Sequence, residues 1–157
     1  MSAYNGSKYI EAQLDSIFQQ VGVKVLCYVR DDGSTDDTLQ VLKKYASTSG
    51  ELIICEGENV GWERSFLLAL KDAPQADYYA FADQDDIWFE DKLISGIKML
   101  EKEGFQTLKD INVFMDTCTV MNDTLAWDIC KNRDNTTCLD IDPDTLYELP
   151  NVKEKIA

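Results

Sequence analysis

The chain contains no histidine, and this absence removes several kinds of active site. A Ser-His-Asp triad, a Cys-His pair and a histidine-bound zinc centre all require an imidazole. The five cysteines are odd in number and form no C-x-x-C pair. Because Cys27 and Cys55 lie in apolar runs, we expect them to be reduced thiols of the core. Carboxylates, lysine, tyrosine and cysteine remain as acid–base groups.

Positive charge is also scarce, with 15 Lys and Arg against 29 Asp and Glu and a net charge of −14. Since a nucleic-acid surface needs clustered Lys and Arg, we expect no nucleic-acid partner. The sequence shows no secretory signal and no transmembrane segment. We therefore expect a cytoplasmic protein, which could act peripherally at the inner face of the membrane. The acidic residues concentrate at 31–37, 83–91 and 140–148, which indicates sites and helix starts as well as solubility.

Apolar residues alternate between two periodicities along the first two thirds of the chain. Runs at 23–30, 52–55 and 78–82 are typical of strands, and between and after them apolar residues recur at helical spacing. Ser7 is a candidate N-cap for the first helix, and Ser34 or Thr35 for the second. Strand–helix alternation with short connections predicts a parallel α/β fold. Beyond residue 105 the rhythm weakens, with a candidate strand at 111–114, an ambiguous stretch at 120–127 and a terminal helix at 145–157.

Three carboxylates follow the strand predicted at 78–82, and we call Asp83–Asp86 the acidic turn. In an open α/β sheet, ligands bind at the carboxyl ends of the strands. Carboxylates packed this closely are unfavourable unless a positive group or a divalent cation holds them together. The Asp31–Ser34 turn follows the neighbouring strand at the same edge. It is either a capped strand–helix turn or the source of a carboxylate for a nucleobase N–H or a ribose hydroxyl.

Three interpretations of the acidic turn remain open from the residues alone. It is a solvated turn, a metal site for a diphosphate substrate, or the motif of an aspartyl phosphotransferase with Asp83 as nucleophile and Asp85 as acid–base group. The phosphotransferase usually has Thr or Val at the position of Ile87 and a further acidic pair downstream. A second acidic run at 140–144 resembles a calcium loop but lacks its glycine and its final glutamate.

Arg64 is the candidate cation for a ligand in this region. It lies one turn into the helix that follows Gly61, where it could counter phosphate or carboxylate charge. The alternative is a surface arginine that pairs with Glu63.

Four motifs follow one another in the first two thirds of the chain: Met1-Ser2-Ala3-Tyr4-Asn5-Gly6, Val29-Arg30-Asp31-Asp32-Gly33-Ser34-Thr35-Asp36, Glu58-Asn59-Val60-Gly61 and Phe81-Ala82-Asp83-Gln84-Asp85-Asp86-Ile87-Trp88. Each motif is weak alone, but their order and spacing are specific. Together they resemble the motifs of the GT-A family-2 inverting glycosyltransferases, especially the bacterial rhamnosyltransferase-like branch, and the resemblance covers roughly residues 1–104.

The resemblance implies a GT-A (Rossmann-like) fold, with a mostly parallel sheet flanked by helices. Residues 1–104 would be the donor-binding portion, and residues 105–157 a partial acceptor-side segment of the same domain. Family members begin with an apolar strand that commonly ends in Met. Because Met1 stands at that last position, we expect the chain to lack this first central strand. It would lie between the strands at 23–30 and 78–82. From the same resemblance we expect the chain to lack much of the acceptor half as well.

The resemblance also implies roles for individual residues. A UDP- or dTDP-type donor would give its sugar, with inversion, to a hydroxyl of a saccharide or lipid-linked saccharide, in surface-polysaccharide synthesis. The nucleotide-sugar site would comprise Ser2, Tyr4, Asp32, Arg64 and Asp83. Tyr4 would lie near the base, Asp32 would accept a hydrogen bond from the base, and Asp83 would lie at the ribose. Asp85 and Asp86 would hold Mn²⁺ or Mg²⁺.

The catalytic base has no convincing match, and Asp116 is only a weak candidate. We therefore expect donor binding with little or no transfer by this chain alone. A truncated nucleotide-binding remnant without catalysis is the non-enzymatic alternative. The sequence does not indicate an oligomeric state.

Overall fold

The computed structural model describes residues 1–103 and 120–122, with residues 102–103 and 120–122 as backbone alone. None of the described helices is long and apolar enough to cross a membrane. The predicted alternation of strands and helices is confirmed, whereas the strand predicted at 111–114 and the helix predicted at 145–157 lie outside the described residues. The elements are β1 (Ser2–Ala3), α1 (Ile10–Phe18), β2 (Cys27–Asp31), α2 (Thr38–Thr48), β3 (Leu52–Glu56), α3 (Trp62–Asp72), β4 (Tyr78–Ala80), α4 (Lys92–Glu103) and β5 (Val120–Asn122).

The first sheet has the order β1-β2-β3, and both of its strand pairs are parallel. The first central strand was expected to lie before Met1, but Ser2–Ala3 pairs with β2 as a two-residue strand. The reason is a backbone ladder: Arg30 N donates to the oxygen of Met1 at 3.0 Å, and Asp32 N donates to the oxygen of Ala3 at 2.7 Å. The two-residue strand β1 therefore lies beside β2.

The second sheet consists of β4 and β5, which pair antiparallel with Tyr78 opposite Asn122. The ambiguous stretch at 120–127 thus contains a short strand. The chain divides into two compact units, Met1–Pro74 with Phe81–Ser95, and Gln75–Ala80 with Gly96–Ala157. Every candidate site residue from the sequence except Asp116 belongs to the first unit, and Asp116 lies outside the described residues.

The core of the first unit is built from helical and strand faces that the apolar spacing predicted. Ile10 and Leu14 of α1 and Leu42 of α2 are fully buried, as is Val29 of β2. Helix α1 packs against α2, α2 against β3, and α3 against β1 and β2. Each fully buried side chain of this kind contributes roughly 1.5–3 kcal/mol. This packing fixes the carboxyl ends of β1 and β2, where the candidate site lies.

The N-caps predicted at Ser7 and at Ser34 or Thr35 are wrong. These residues lie before the helices, and their hydrogen bonds connect loops instead. Helix α1 begins after Tyr9, and α2 begins after Asp37. The amides of Ser7 and Thr38 donate to the two carboxylate oxygens of Asp36, at 3.2 and 3.0 Å. Although slight burial would raise the pKa of Asp36, hydrogen bonds from Thr38 and Ser7 hold it at about 2. Asp36 therefore joins the segment before α1 to the start of α2.

Cys27 and Cys55 are free thiols, as predicted for reduced core residues. Cys27 is buried, and its burial raises the pKa of the thiol. Because the thiolate is the reactive form of cysteine, Cys27 is poorly suited to nucleophilic chemistry. It is a packing residue of β2.

Candidate functional site

The segment Tyr4–Ser7, which we call the Tyr4 loop, is hydrogen-bonded to the turn that precedes α2. Asn5 N donates to Ser34 Oγ at 3.0 Å, and Asn5 Oδ1 accepts from Thr35 N at 2.8 Å. Gly6 N donates to Thr38 Oγ1 at 2.8 Å. Asn5 has a φ of +50°, a left-handed conformation that Asn tolerates better than most residues. These bonds hold the Tyr4 loop against residues 34–38, which include the end of the Val29–Asp36 motif.

On its other side the Tyr4 loop is bonded to the acidic turn. Tyr4 N donates to Gln84 Oε1 at 2.8 Å, and Gln84 Nε2 donates to the oxygen of Tyr4 at 3.0 Å. One side-chain amide thus satisfies both backbone groups of Tyr4. The structure therefore brings the 31–36 segment and the acidic turn to the same loop, although β2 and β4, which precede them, belong to different sheets.

The segment that follows the acidic turn is anchored to the C-terminal end of α1. Trp88 N donates to Ser16 Oγ at 3.0 Å, and Gln20 Nε2 donates to the oxygen of Phe89 at 2.7 Å. Trp88 is buried, and Lys92 Nζ lies 4.5 Å from the centre of its ring. The acidic turn is thus held by Gln84 and, further along the chain, by Trp88. A turn anchored in this way can present its carboxylates in a fixed arrangement.

The carboxylates of the acidic turn repel one another. The pKa of Asp83 is raised by burial first and then by the charges of Asp86 and Asp85, while Lys92 opposes the rise. A bound cation would relieve this repulsion. The three side chains are exposed, so a ligand can reach them from solvent.

The donor chemistry of the acidic turn fits a hard divalent cation, although the protein would supply few ligands. Within residues 1–103 and 120–122, no group of three or more His, Cys, Asp or Glu side chains is arranged to hold a metal ion. Mg²⁺ needs only one or two protein carboxylates, because water and phosphate oxygens fill its other positions. Asp85 and Asp86 are suitable for such a shared site.

Asp32 lies inside the protein and forms an ion pair with Arg30. The two residues are 2% and 5% exposed. The Asp32 carboxylate also accepts from Val60 N and Gly61 N, each at 3.0 Å, and Arg30 Nη2 donates to the oxygen of Glu58 at 3.0 Å. The pair therefore fixes the 58–61 loop. That Asp32 accepts from a nucleotide base stays a prediction.

Ser2 and Ser65 extend this buried polar cluster. Ser2 Oγ donates to Ser65 Oγ at 2.6 Å, and Ser65 Oγ also accepts from Arg30 Nη1 at 3.0 Å. Arg64 is the third residue of α3, and its buried Nε has no hydrogen-bond partner among the described residues. Ligand contacts by Ser2 and Arg64 also stay predictions.

Gly33 is required where the Asp31–Ser34 turn lies against the backbone of residues 57–59. Its φ of +76° is left-handed, and a Cβ at this position would lie 2.9 Å from Asn59 N. The Asp31 carboxylate closes the turn by accepting from Ser34 N at 3.1 Å. Only glycine permits both this conformation and this close approach.

Sequence reasoning missed Arg30 and Gln84. Arg30 carried a usable signal, because side chains two apart in a strand share a face, and Asp32 stands two residues later. Gln84 carried none, since its partner is a backbone group 80 residues away. A glutamine between carboxylates gives no indication of such a bond.

Solved structures of similar fold contain nucleotide ligands. The chain is 29% identical to TarS 1-349 of S. aureus in complex with UDP, with a TM-score of 0.58 over 68% of this chain and 32% of that one. It is 28% identical to the mannosyltransferase PcManGT of Pyrobaculum calidifontis in complex with GDP-Man and Mn²⁺, with a TM-score of 0.59 over 63% of this chain and 30% of that one. The fold and the carboxylate-bearing sheet edge thus define an α/β protein of the GT-A glycosyltransferase class.

The family follows from the sequence comparison. The model of glycosyl transferase family 2 matches residues 1–123, and the chain belongs to that family. It is 37% identical over 105 residues to the dTDP-rhamnosyl transferase RfbG of Shigella flexneri, a match that covers 64% of this chain. The chain spans 36% of the length of that relative.

Proposed function

We propose that this chain binds a nucleoside-diphosphate sugar of the UDP or dTDP type and forms the donor-binding portion of an inverting glycosyltransferase. The pair of hydrogen bonds between Gln84 and Tyr4 carries the proposal. It joins the loop expected at the nucleotide base to the turn expected at the diphosphate. The UDP complex of the similar TarS structure and the rhamnosyl transferase relative support this donor class.

Each residue assigned to the nucleotide-sugar site has a proposed role that follows from its position. Tyr4 is 44% exposed and offers its ring to the base. Asp32 is assigned to the base by the resemblance, and its buried carboxylate is already bonded to Arg30, Val60 N and Gly61 N. Asp83 accepts from the ribose at the open end. Ser2 shapes the floor through its bond to Ser65, and Arg64 counters the charge of the nucleotide.

Asp85, assisted by Asp86, holds Mn²⁺ or Mg²⁺ together with the diphosphate oxygens. When bound, the metal stabilises the negative charge that develops on the leaving diphosphate. The pKa of Asp83 is raised first by burial and then by the charges of Asp86 and Asp85, and a bound cation would lower this second contribution. The Mn²⁺ in the PcManGT complex is a further support.

The acceptor is a hydroxyl of a saccharide or of a lipid-linked saccharide, in surface-polysaccharide synthesis at the inner face of the membrane. A carboxylate would deprotonate this hydroxyl as the sugar is transferred with inversion. Asp116, the weak candidate from the sequence, lies outside the described residues. We therefore expect this chain alone to bind the donor and to transfer sugar slowly or not at all.

A thermal-shift panel of nucleoside diphosphates and their sugars tests the proposal. UDP or dTDP compounds with Mn²⁺ should stabilise the chain by about 2.7 kcal/mol at a hundredfold excess over Kd, or roughly 5–11 °C in Tm. ADP is the control nucleotide and should give a smaller shift. No shift with any nucleoside diphosphate would contradict the proposal. Stabilisation by beryllium fluoride instead would favour a phosphotransferase that uses Asp83.

A further inference from the structure

Among residues 1–103 and 120–122, the two hydrogen bonds seen between the acidic turn and the Tyr4 loop are both made by the side chain of Gln84. Its side-chain oxygen accepts from Tyr4 N at 2.8 Å, and its side-chain nitrogen donates to the oxygen of Tyr4 at 3.0 Å. This is the pattern with which a neighbouring strand would satisfy a residue at a sheet edge. No other residue type of this length can both accept and donate in this way.

The Tyr4 loop is shaped to receive this amide. A Cβ on Gly6 would overlap with the Gln84 side chain, contacting both its Oε1 and its Cδ. Gly6 does not have a positive φ, so its backbone conformation does not itself require glycine. The space over Gly6 is therefore occupied by the Gln84 amide, and the loop and the side chain fit each other.

The two segments joined by Gln84 have different proposed ligands. Tyr4 is proposed to face the nucleotide base, whereas Asp85 and Asp86, which follow Gln84 in the chain, are proposed to hold the metal. A nucleoside diphosphate extends from one to the other. The position of Tyr4 relative to the metal carboxylates therefore decides whether base and diphosphate can be bound at the same time.

We propose that Gln84 is a positioning residue that couples metal binding to nucleotide binding. It acts by holding the Tyr4 loop in register with the acidic turn, and it contacts neither ligand. The inference rests on the proposed function, because it assumes a nucleoside diphosphate at this edge. It predicts a loss of coupling rather than a general loss of stability.

The measurement is the Kd of UDP and of dTDP by titration calorimetry, in Mn²⁺ and in EDTA, for the full chain. The ratio of the two values is the coupling between the metal and the nucleotide. Gln84→Met keeps the side-chain length but removes both hydrogen bonds. It should reduce the coupling about five- to tenfold, as expected for two hydrogen bonds. The Kd in EDTA and the Tm should change little, because Gln84 is only partly buried.

A double-mutant cycle with Gly6→Ala separates positioning from simple loss of structure. Gly6→Ala alone should displace the Gln84 amide and reduce the coupling as Gln84→Met does. In a Gln84→Ala background the added methyl group meets no amide, so Gly6→Ala should then have little further effect. Gln75→Met, the same change at an exposed glutamine, is the control and should keep the coupling of the wild type.

The outcomes distinguish the inference from the proposed function. Unchanged coupling in Gln84→Met, or equal losses of affinity in Mn²⁺ and EDTA with a lowered Tm, would overturn the positioning role alone. Additive effects of the two substitutions would do the same. No nucleotide binding by the wild-type chain would overturn the proposed function and this inference with it.

Discussion

Replacing Arg30 with alanine is expected to lower the free energy of unfolding by about 3–5 kcal/mol, the usual cost of removing one partner of a buried ion pair. Arg30 and Asp32 are both buried, so the remaining carboxylate cannot be hydrated. The same substitution removes the donors to Ser65 and to the oxygen of Glu58. Urea denaturation followed by circular dichroism at pH 7 measures the loss.

The chain offers a matched control for this prediction. Lys43 and Glu56 form an ion pair at 2.7 Å, but their side chains are 56% and 55% exposed. Lys43→Ala should therefore cost only about 0–1 kcal/mol. If Arg30→Ala leaves too little folded protein, Arg30→Lys serves instead, because an ammonium group cannot reach three partners at once. Equal losses for Arg30 and Lys43 variants would contradict a stabilising role for the buried pair.

Asp85→Ala is expected to abolish the part of nucleotide stabilisation that depends on Mn²⁺. At a hundredfold excess of nucleotide over the metal-bound Kd, the wild type gains about 2.7 kcal/mol, and the variant should keep only the metal-independent fraction. The reason is that Asp85 is the proposed protein ligand of the metal, so that without it the Mn²⁺ no longer links the diphosphate to the protein. The measurement is the thermal shift by UDP or dTDP with Mn²⁺ and with EDTA.

Asp91→Ala is the control for the change in charge. Asp91 belongs to the same acidic run but accepts from Ser95 Oγ, at 3.3 Å, near the start of α4. Its removal should leave the metal-dependent shift in place. An unchanged shift in Asp85→Ala would show that the metal is held elsewhere. Equal loss in both variants would indicate that overall charge, rather than a ligand, attracts the cation.

The sequence predicted the elements of the first unit because each depends on local periodicity. The spacing of Ile10 and Leu14 indicated α1, and the apolar run around Val29 indicated β2. These predictions needed no knowledge of distant contacts. The expectation that the strand before the acidic turn belongs to the same parallel sheet differs from the structure, where β4 pairs antiparallel with β5 in a second sheet. The N-cap predicted at Ser7 is wrong because α1 begins after Tyr9 and Ser7 N is bonded to Asp36, on another loop.

The contacts that hold the site together could not be predicted in the same way. Gln84 bonds to a backbone group, so its partner leaves no mark on the pattern of side chains. The burial of Asp32 depends on Arg30 and on the 58–61 loop folding over it. From the sequence alone, the Asp31–Ser34 turn was equally a capped strand–helix turn and the source of a carboxylate for a ligand. Such roles are decided by tertiary packing.

The most direct test of the central claim locates the bound metal–nucleotide complex by paramagnetic broadening of backbone amide signals with Mn²⁺. We predict that Mn²⁺ with UDP or dTDP broadens the signals of Tyr4, Asn5 and Gln84–Asp86, and that Mn²⁺ alone has a weaker effect there. Broadening centred on the acidic run at 140–148, or broadening that does not respond to nucleotide, would contradict a donor site between the Tyr4 loop and the acidic turn.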